Sequence, residues 1–243
     1  MGRWVTMRDW ANALLADRCA VLLFAGSLLL MLLYLLWPLG EHVVSSDFVQ
    51  THYWLVDMNE EYNVPALYAA MLWLIAAFNA LLLSRADISH SGWPSGRQCW
   101  LVMAAISLLL GYDEAAGLHE WIGDAMPAVV QVLPVYAWVF YGLALLAVVA
   151  AMLLPFVLSL SHGTGGAICL AGVIFVAGAL GMETLGALVE RGVLSDFPPG
   201  LNWRRQIALE EGCEMTGVTL LIFALRRHRR LQRVVFPPAG VRA

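Results

Sequence analysis

The sequence predicts an all-α membrane protein: a six-transmembrane-helix bundle with both termini on the cytoplasmic side. Three observations carry that prediction. The first is composition: 60% of the 243 residues are hydrophobic and only 13% charged, and the mean hydropathy of +0.73 lies outside the range of soluble domains. The second is run length. Six continuous apolar stretches, roughly 19–37, 64–84, 99–121, 133–158, 166–190 and 206–225, approach or exceed the about 20 residues that cross the hydrocarbon. They lack the period-2 alternation of barrel strands. The third is the placement of positive charge. All fourteen basic residues are Arg. Arg3, Arg8, Arg18, Arg85, Arg97, Arg226, Arg227, Arg229, Arg230, Arg233 and Arg242 fall on one side of the spans, and Arg191, Arg204 and Arg205 on the other. The positive-inside bias then puts both termini in the cytoplasm of an inner (plasma) membrane, as an even number of spans requires.

Residues 1–18, with Trp4, Trp10, Arg3 and Arg8, read as an amphipathic cytoplasmic start lying at the interface. The first apolar run is of full spanning length and no small-residue cleavage pattern follows it, so it reads as an uncleaved first helix. The transmembrane domain covers 19–230, and 231–243 forms a basic cytoplasmic tail. Between spans, 40–62 is an outer loop ending in "DMNEEYNVP", where Pro65 suits the first turn of the second helix. The segments "SRADISHSGWPSGRQ" and "SHGTGG" are cytoplasmic turns, and "LSDFPPGLNWRRQ" is a stiff outer loop. Cys19, Cys99, Cys169 and Cys213 do not share an oxidising side, so no disulfide is expected, and no C-x-x-C pair marks a thiolate metal site. Trp37, Trp54, Trp93, Trp100, Trp121 and Trp203 fall near span ends, as an interfacial aromatic belt requires. Nothing in the sequence indicates a nucleic-acid partner.

The carboxylates are the informative residues. "GYDEAAGLHE" (111–120) and "GMETLGALVE" (181–190) share the pattern G-x-acid-x-x-small-small-L-x-E, which suggests that hairpins 3–4 and 5–6 are related units. Helices 3 and 5 run outward, so a rise of 1.5 Å per residue puts Asp113 and Glu183 roughly 5–10 Å below the outer boundary. Glu120 and Glu190 lie one heptad further out. Glu214 on helix 6 falls at the level of Asp113 and Glu183, and Glu210 and Glu211 about one turn higher. On a regular helix Asp113, Gly117, Glu120 and Asp124 form one stripe, and Glu183, Gly186, Ala187 and Glu190 another. Glu114 and His119 point off the helix 3 stripe, on opposite flanks.

An ionised group at the bilayer centre costs about 2.5–3.5 kcal/mol on insertion scales. Acids gathered on three helices therefore need protons, arginine partners or a metal ion. Inward-facing acids and one imidazole follow the logic of dinuclear carboxylate bundles, although the paired Glu-x-x-His motifs of those bundles are absent. Oxygen-rich ligands with one imidazole suit Fe, Mn or Zn. The expected divalent-metal ligands are Asp113, Glu183 and Glu214 at the core and Glu120, Glu190 and Glu210 outside them, with Glu114, His119 and Glu211 as further candidates. Metal-assisted redox or hydrolytic chemistry on a lipid-soluble or periplasmic substrate would follow. The alternatives are a proton- or cation-coupled transporter and a structural subunit of a membrane complex, its acids paired with Arg204 and Arg205. "HEWIG" lacks the second His of H-E-x-x-H. "EEGCEM" resembles the start of the E-E-x-x-x-R box of glutamate-type intramembrane proteases, but Met215 stands in the Arg position, so that activity is not implied.

Overall fold

The computed structural model describes residues 7–42, 44–86, 95–125, 133–160 and 163–235; the expected tail beyond 235 and most of the turn at 84–98 lie outside them. The described residues are helical throughout, joined by turns. The helices are α1 (Met7–Ala16), α2 (Arg18–Leu36), α3 (Ser46–His52), α4 (Val64–Ala86), α5 (Gly96–Ala116), α6 (Leu118–Asp124), α7 (Ala137–Ser159), α8 (Thr164–Val176), α9 (Glu183–Glu190) and α10 (Trp203–Val235). A π-helical turn, Ala177–Met182, joins α8 to α9.

Among the described residues five helical stretches are long and apolar enough to cross a membrane: Arg18–Gly40, Val64–Ala86, Gly96–Ala116, Ala137–Ser159 and Thr164–Glu190. They correspond to the first five expected spans. The sixth, 206–225, is helical as part of α10, but it carries Glu210, Glu211 and Glu214 and is not among the five. α10 packs along α8, α4 and α2 and against the π turn, and α4 packs along α5. The most polar long helix is therefore the one the others surround.

Local sequence fixes where the helices begin. Asp17 caps α2, its carboxylate accepting from the backbone N–H of Cys19 at 3.1 Å and of Ala20 at 3.4 Å. Ser95 and Gln98 form a reciprocal capping box at the start of α5. At α4, Asn63 Oδ1 accepts from the Ala66 N–H at 3.1 Å, one residue after Tyr62, which sits at φ 62° and donates its hydroxyl to Ala116 O at 3.0 Å. The loop before α4 is thus tied to the end of α5.

Close approach to α10 depends on glycines. A Cβ at Gly217 would lie 2.8 Å from Ala171 O and from the Phe175 backbone N, and one at Gly178 would lie 2.6 Å from Glu210 O. These positions let α8 and the π turn press on α10. Two apolar clusters fill the bundle. One is built around Leu83, Trp100, Phe156 and Leu225, the other around Leu72, Trp73, Met215 and Ile222.

One end of the bundle is locked by polar contacts. Asp17, 1% exposed, pairs with Arg230 Nη2 at 3.1 Å and Arg226 Nη2 at 3.4 Å. The start of α2 and the end of α10 therefore lie at the same end. Trp10 of α1 does not simply lie along an interface, as the amphipathic pattern suggested. Its ring lies 4.1 Å from the Arg227 guanidinium carbon, edge-on to Phe223, and against Gly163, which has φ +74°. Buried His228 reaches the Thr164 hydroxyl at 3.3 Å. Cys19, Cys99, Cys169 and Cys213 form no disulfide with one another.

Asp17 both caps a helix and compensates two guanidinium groups, so Asp17→Ala should destabilise the protein by about 2–3 kcal/mol. Arg230→Ala, at a side chain that is 58% exposed, should cost under about 1 kcal/mol. Thermal unfolding in detergent checks this; equal midpoints for the two variants would contradict the assignment.

Candidate functional site

At the other end the helices part around a cavity of about 1310 Å³. Asp113, Glu114, His119, Glu120, Glu183, Glu190, Glu210, Glu211 and Glu214 all line it, joined by Glu60 and Glu61 from the loop before α4. Carboxylates from four separate stretches of chain thus face one space, as matching depth suggested. Glu120 and Glu190 are exposed at its rim, and Glu114, Glu183, Glu210, Glu211 and Glu214 are half-buried.

The local route differs from the one regular helices predict. Helix 3 does not continue to residue 121. α5 ends at Ala116, and Gly117 takes the left-handed conformation with φ 56° and ψ 40° before α6 starts. The break removes the predicted Asp113–Gly117–Glu120–Asp124 stripe. It also carries His119 back onto Asp113, whose Oδ1 accepts from the His119 backbone N–H at 2.7 Å and lies 3.1 Å from Nδ1. Burial lowers the imidazole's proton affinity, but the hydrogen bond and charge of Asp113 outweigh it, and the His119 pKa is pushed up to about 9. His119 also packs against Trp138, ring centroids 5.0 Å apart.

The second decapeptide takes another path. Where "GYDEAAGLHE" has Gly117, "GMETLGALVE" has Ala187, which enters the left-handed region only at a cost. α9 therefore runs unbroken to Glu190. The irregularity lies upstream, in the π turn, which re-aims α9 relative to α8 and seats Gly178 against Glu210 and Glu214 of α10. Two similar segments thus deliver acids to one cavity by different backbone devices.

Glu183 accepts from Trp138 Nε1 at 3.1 Å and lies within hydrogen-bonding reach of Glu210. Glu210 accepts from Gln206 Nε2 at 2.6 Å, and the same amide nitrogen donates to Met182 O at 3.0 Å. Glu114 lies beside Trp73 and Glu214. Glu211 is within electrostatic reach of Glu114, Glu61 and Glu183. In the loop, burial and then the charge of Glu114 push the Glu61 carboxyl up to about 8, against the opposing pull of His119. At the rim Tyr136 donates to Glu190; burial and this contact keep its phenol protonated.

Two of the arrangements considered from sequence take a different form among the described residues. Arg204 and Arg205 do not neutralise the acids. Arg204 donates to Tyr34 O at 2.8 Å and lies over the rings of Tyr34 and Tyr53, and Arg205 donates to Gly200 O at 2.7 Å. Nor is the expected metal centre gathered. Among the described residues no three or more His, Cys, Asp or Glu side chains form a group that could hold a metal ion. The acids surround the space rather than converging on a point in it.

Sequence reading passed over Trp73, Trp138, Tyr136 and Gln206, all of which line the cavity. Two of them carry free polar atoms. Gln206 is 2% exposed and Trp73 is 5% exposed. Gln206 Oε1 and Trp73 Nε1 have no hydrogen-bond partner of normal geometry.

Gly117 also explains a substitution that sequence alone would class as mild. Gly117→Ala should cost about 1–2 kcal/mol through backbone strain, whereas Gly117→Asn, with a side chain tolerated in that region, should cost less. Thermal unfolding of the two variants in detergent tests the order.

No curated protein matches the chain, and no solved structure does. The family described as "Domain of unknown function (DUF8692)" matches residues 21–228, nearly the whole helical bundle, and the chain belongs to that family.

Proposed function

We propose that this multi-pass membrane protein binds a cation at the carboxylate end of its cavity, with a divalent metal ion (Fe, Mn or Zn) as the first candidate. One observation carries the reading: among the described residues ten carboxylates line the cavity, with Arg191 and His119 as the positive groups beside them. Such a concentration of negative charge in a poorly solvated space is relieved by a bound cation or by protons. The unused acceptor Gln206 Oε1 adds one more oxygen to a donor set of the kind hard and borderline cations take. Since the carboxylates are not grouped as a cage, binding would have to draw side chains from α5, α9 and α10 inward. Glu114, Glu211 and Glu214 are the natural core, and Asp113, already engaged by His119, is a weaker candidate than its depth suggested.

The orientation follows the same argument. α10 is inferred to be the sixth crossing, because the Asp17–Arg226–Arg230 contact joins the start of α2 to the end of α10 and so requires an even number of passes. The arginine-rich end is then cytoplasmic, and the cavity opens on the outer side. A transporter gains less support. Below the acids the cavity wall is apolar, with Leu153, Val157, Ile168 and Leu221, and offers an ion no relay.

Elemental analysis of purified protein, followed by Mn²⁺ and Zn²⁺ titration, tests the proposal. Stoichiometric metal, or uptake on titration, is expected, with affinity reduced at least about tenfold in Glu211→Gln and Glu214→Gln. Folded protein that holds no metal and takes none up would overturn the metal reading.

A further inference from the structure

The cavity does not stop at the carboxylates. It continues between α5, α7, α8 and α10 along Met103, Ile106, Val149, Leu153, Ile168 and Leu221. From Glu214 to Leu221 on α10 the wall extends about 10 Å past the acids at 1.5 Å per residue. Its hydroxyl-bearing residue, Ser107, is spent on its own helix, donating to Met103 O at 2.9 Å. The whole space, about 1310 Å³, exceeds the roughly 300–1,000 Å³ of ordinary small-molecule pockets.

One wall of this apolar arm is α7, which stands at the edge of the bundle. Only 17% of its apolar window is buried, against 56% for α4. α7 touches its neighbours chiefly at its ends. Near the outer end Gly142 sits where a Cβ would lie 2.8 Å from Leu180 Cδ2. Near the inner end Leu153, Phe156 and Val157 enter the core around Trp100. The arm lies between those two contacts.

We propose that the arm holds the chain of a single-tailed membrane amphiphile whose head donates hydrogen bonds, a long-chain amine or alcohol, with that head among the carboxylates. The tail matches the apolar wall. The head is set by what the polar end lacks. Its lining is dominated by acceptors, and Gln206 Oε1, buried and without a partner, accepts a hydrogen bond that no protein group supplies. An unpaired buried acceptor of this kind costs about 1–3 kcal/mol, which a donor head removes. An anionic head would instead meet ten carboxylates. The choice of head rests on the reading of the acid end as a cation site; the choice of tail rests on the arm alone.

Gly172 supplies the test. It lines the arm, and a Cβ there meets nothing within 4 Å, so a large side chain can grow into the space without displacing backbone. The full-length protein in lipid nanodiscs is exposed to hexadecylamine, hexadecanol and palmitate analogues, each with a diazirine in the chain, and the cross-links are mapped by mass spectrometry. Amine and alcohol labels are expected on α5, α7 and α8 residues facing the arm, at least fivefold above the palmitate label. Gly172→Trp should reduce them at least fivefold, whereas Gly172→Ala should retain them. Labels spread over the lipid-facing surface, equal labelling by palmitate, or labelling indifferent to Gly172→Trp would each overturn the proposal. Mn²⁺ titration of the same sample reads the cation site by itself. Absent uptake with arm labelling intact counts against the metal alone, and uptake without arm labelling counts against the amphiphile alone.

Discussion

Carboxylates cannot face hydrocarbon, and the arrangement of this bundle follows from that restriction. Glu210, Glu211 and Glu214 occupy a single turn or so of α10. A helix bearing them is stable in a membrane only if other helices take its lipid contacts and leave its acids a polar space. α2, α4 and α8 do the first, packing along α10. The gap between α5, α7 and the α8–α9 segment does the second. The glycines belong to the same solution. Gly217 and Gly178 bring neighbouring backbone close enough to shield α10, and Gly178 does so beside Glu210 and Glu214. Substituting a larger residue there would push α8 outward and open the acids toward lipid.

The two ends of the bundle are built on different principles. At the arginine-rich end three central polar groups have specific answers: Asp17 two guanidinium groups and two backbone N–H donors, His228 the Thr164 hydroxyl, Arg227 the face of Trp10. At the cavity end acids face acids, and a buried amide oxygen goes unmatched. Polar groups left unsatisfied in a low-dielectric interior are a reservoir of interaction for a ligand. A well-paired arginine-rich end can support that imbalance without unfolding, much as loosely held regions elsewhere carry binding while a stable core holds them in place.

The parts of this structure legible in the sequence were those that depend on sums over many residues. Apolar run length located five helices to within a few residues, because hydrophobic burial adds up over twenty positions. Depth counting put seven acids of three helices near one level, and all seven line one cavity, because helical rise is nearly constant. What escaped depends on single backbone events. One left-handed glycine at 117 turned a predicted straight stripe into a fold-back that pairs His119 with Asp113. One π turn before Glu183 changed the bearing of α9. Arg204 and Arg205 looked like natural partners for the acids by proximity in sequence. In space, carbonyl oxygens and aromatic faces take them instead.

The matched decapeptides show how far such local events reach. Both start as helix and both carry an acid at the third and tenth positions. Gly117 permits a left-handed residue, so the outer acid Glu120 swings to the rim beside Glu61; Ala187 does not, so Glu190 stays on its helix and meets Tyr136 instead. The difference of one methyl group places one acid against another acid and its counterpart against a phenol. The α5–α6 side of the cavity therefore gathers the carboxyl groups of Glu61, Glu114 and Glu120, while the α9 side engages its acids with Tyr136, Trp138 and Gln206. A cation entering this space meets its strongest attraction on the α5 side and its hydrogen-bonding framework on the α9 side. Its position between them is set by chemistry that the shared sequence pattern, read by itself, would have made symmetric.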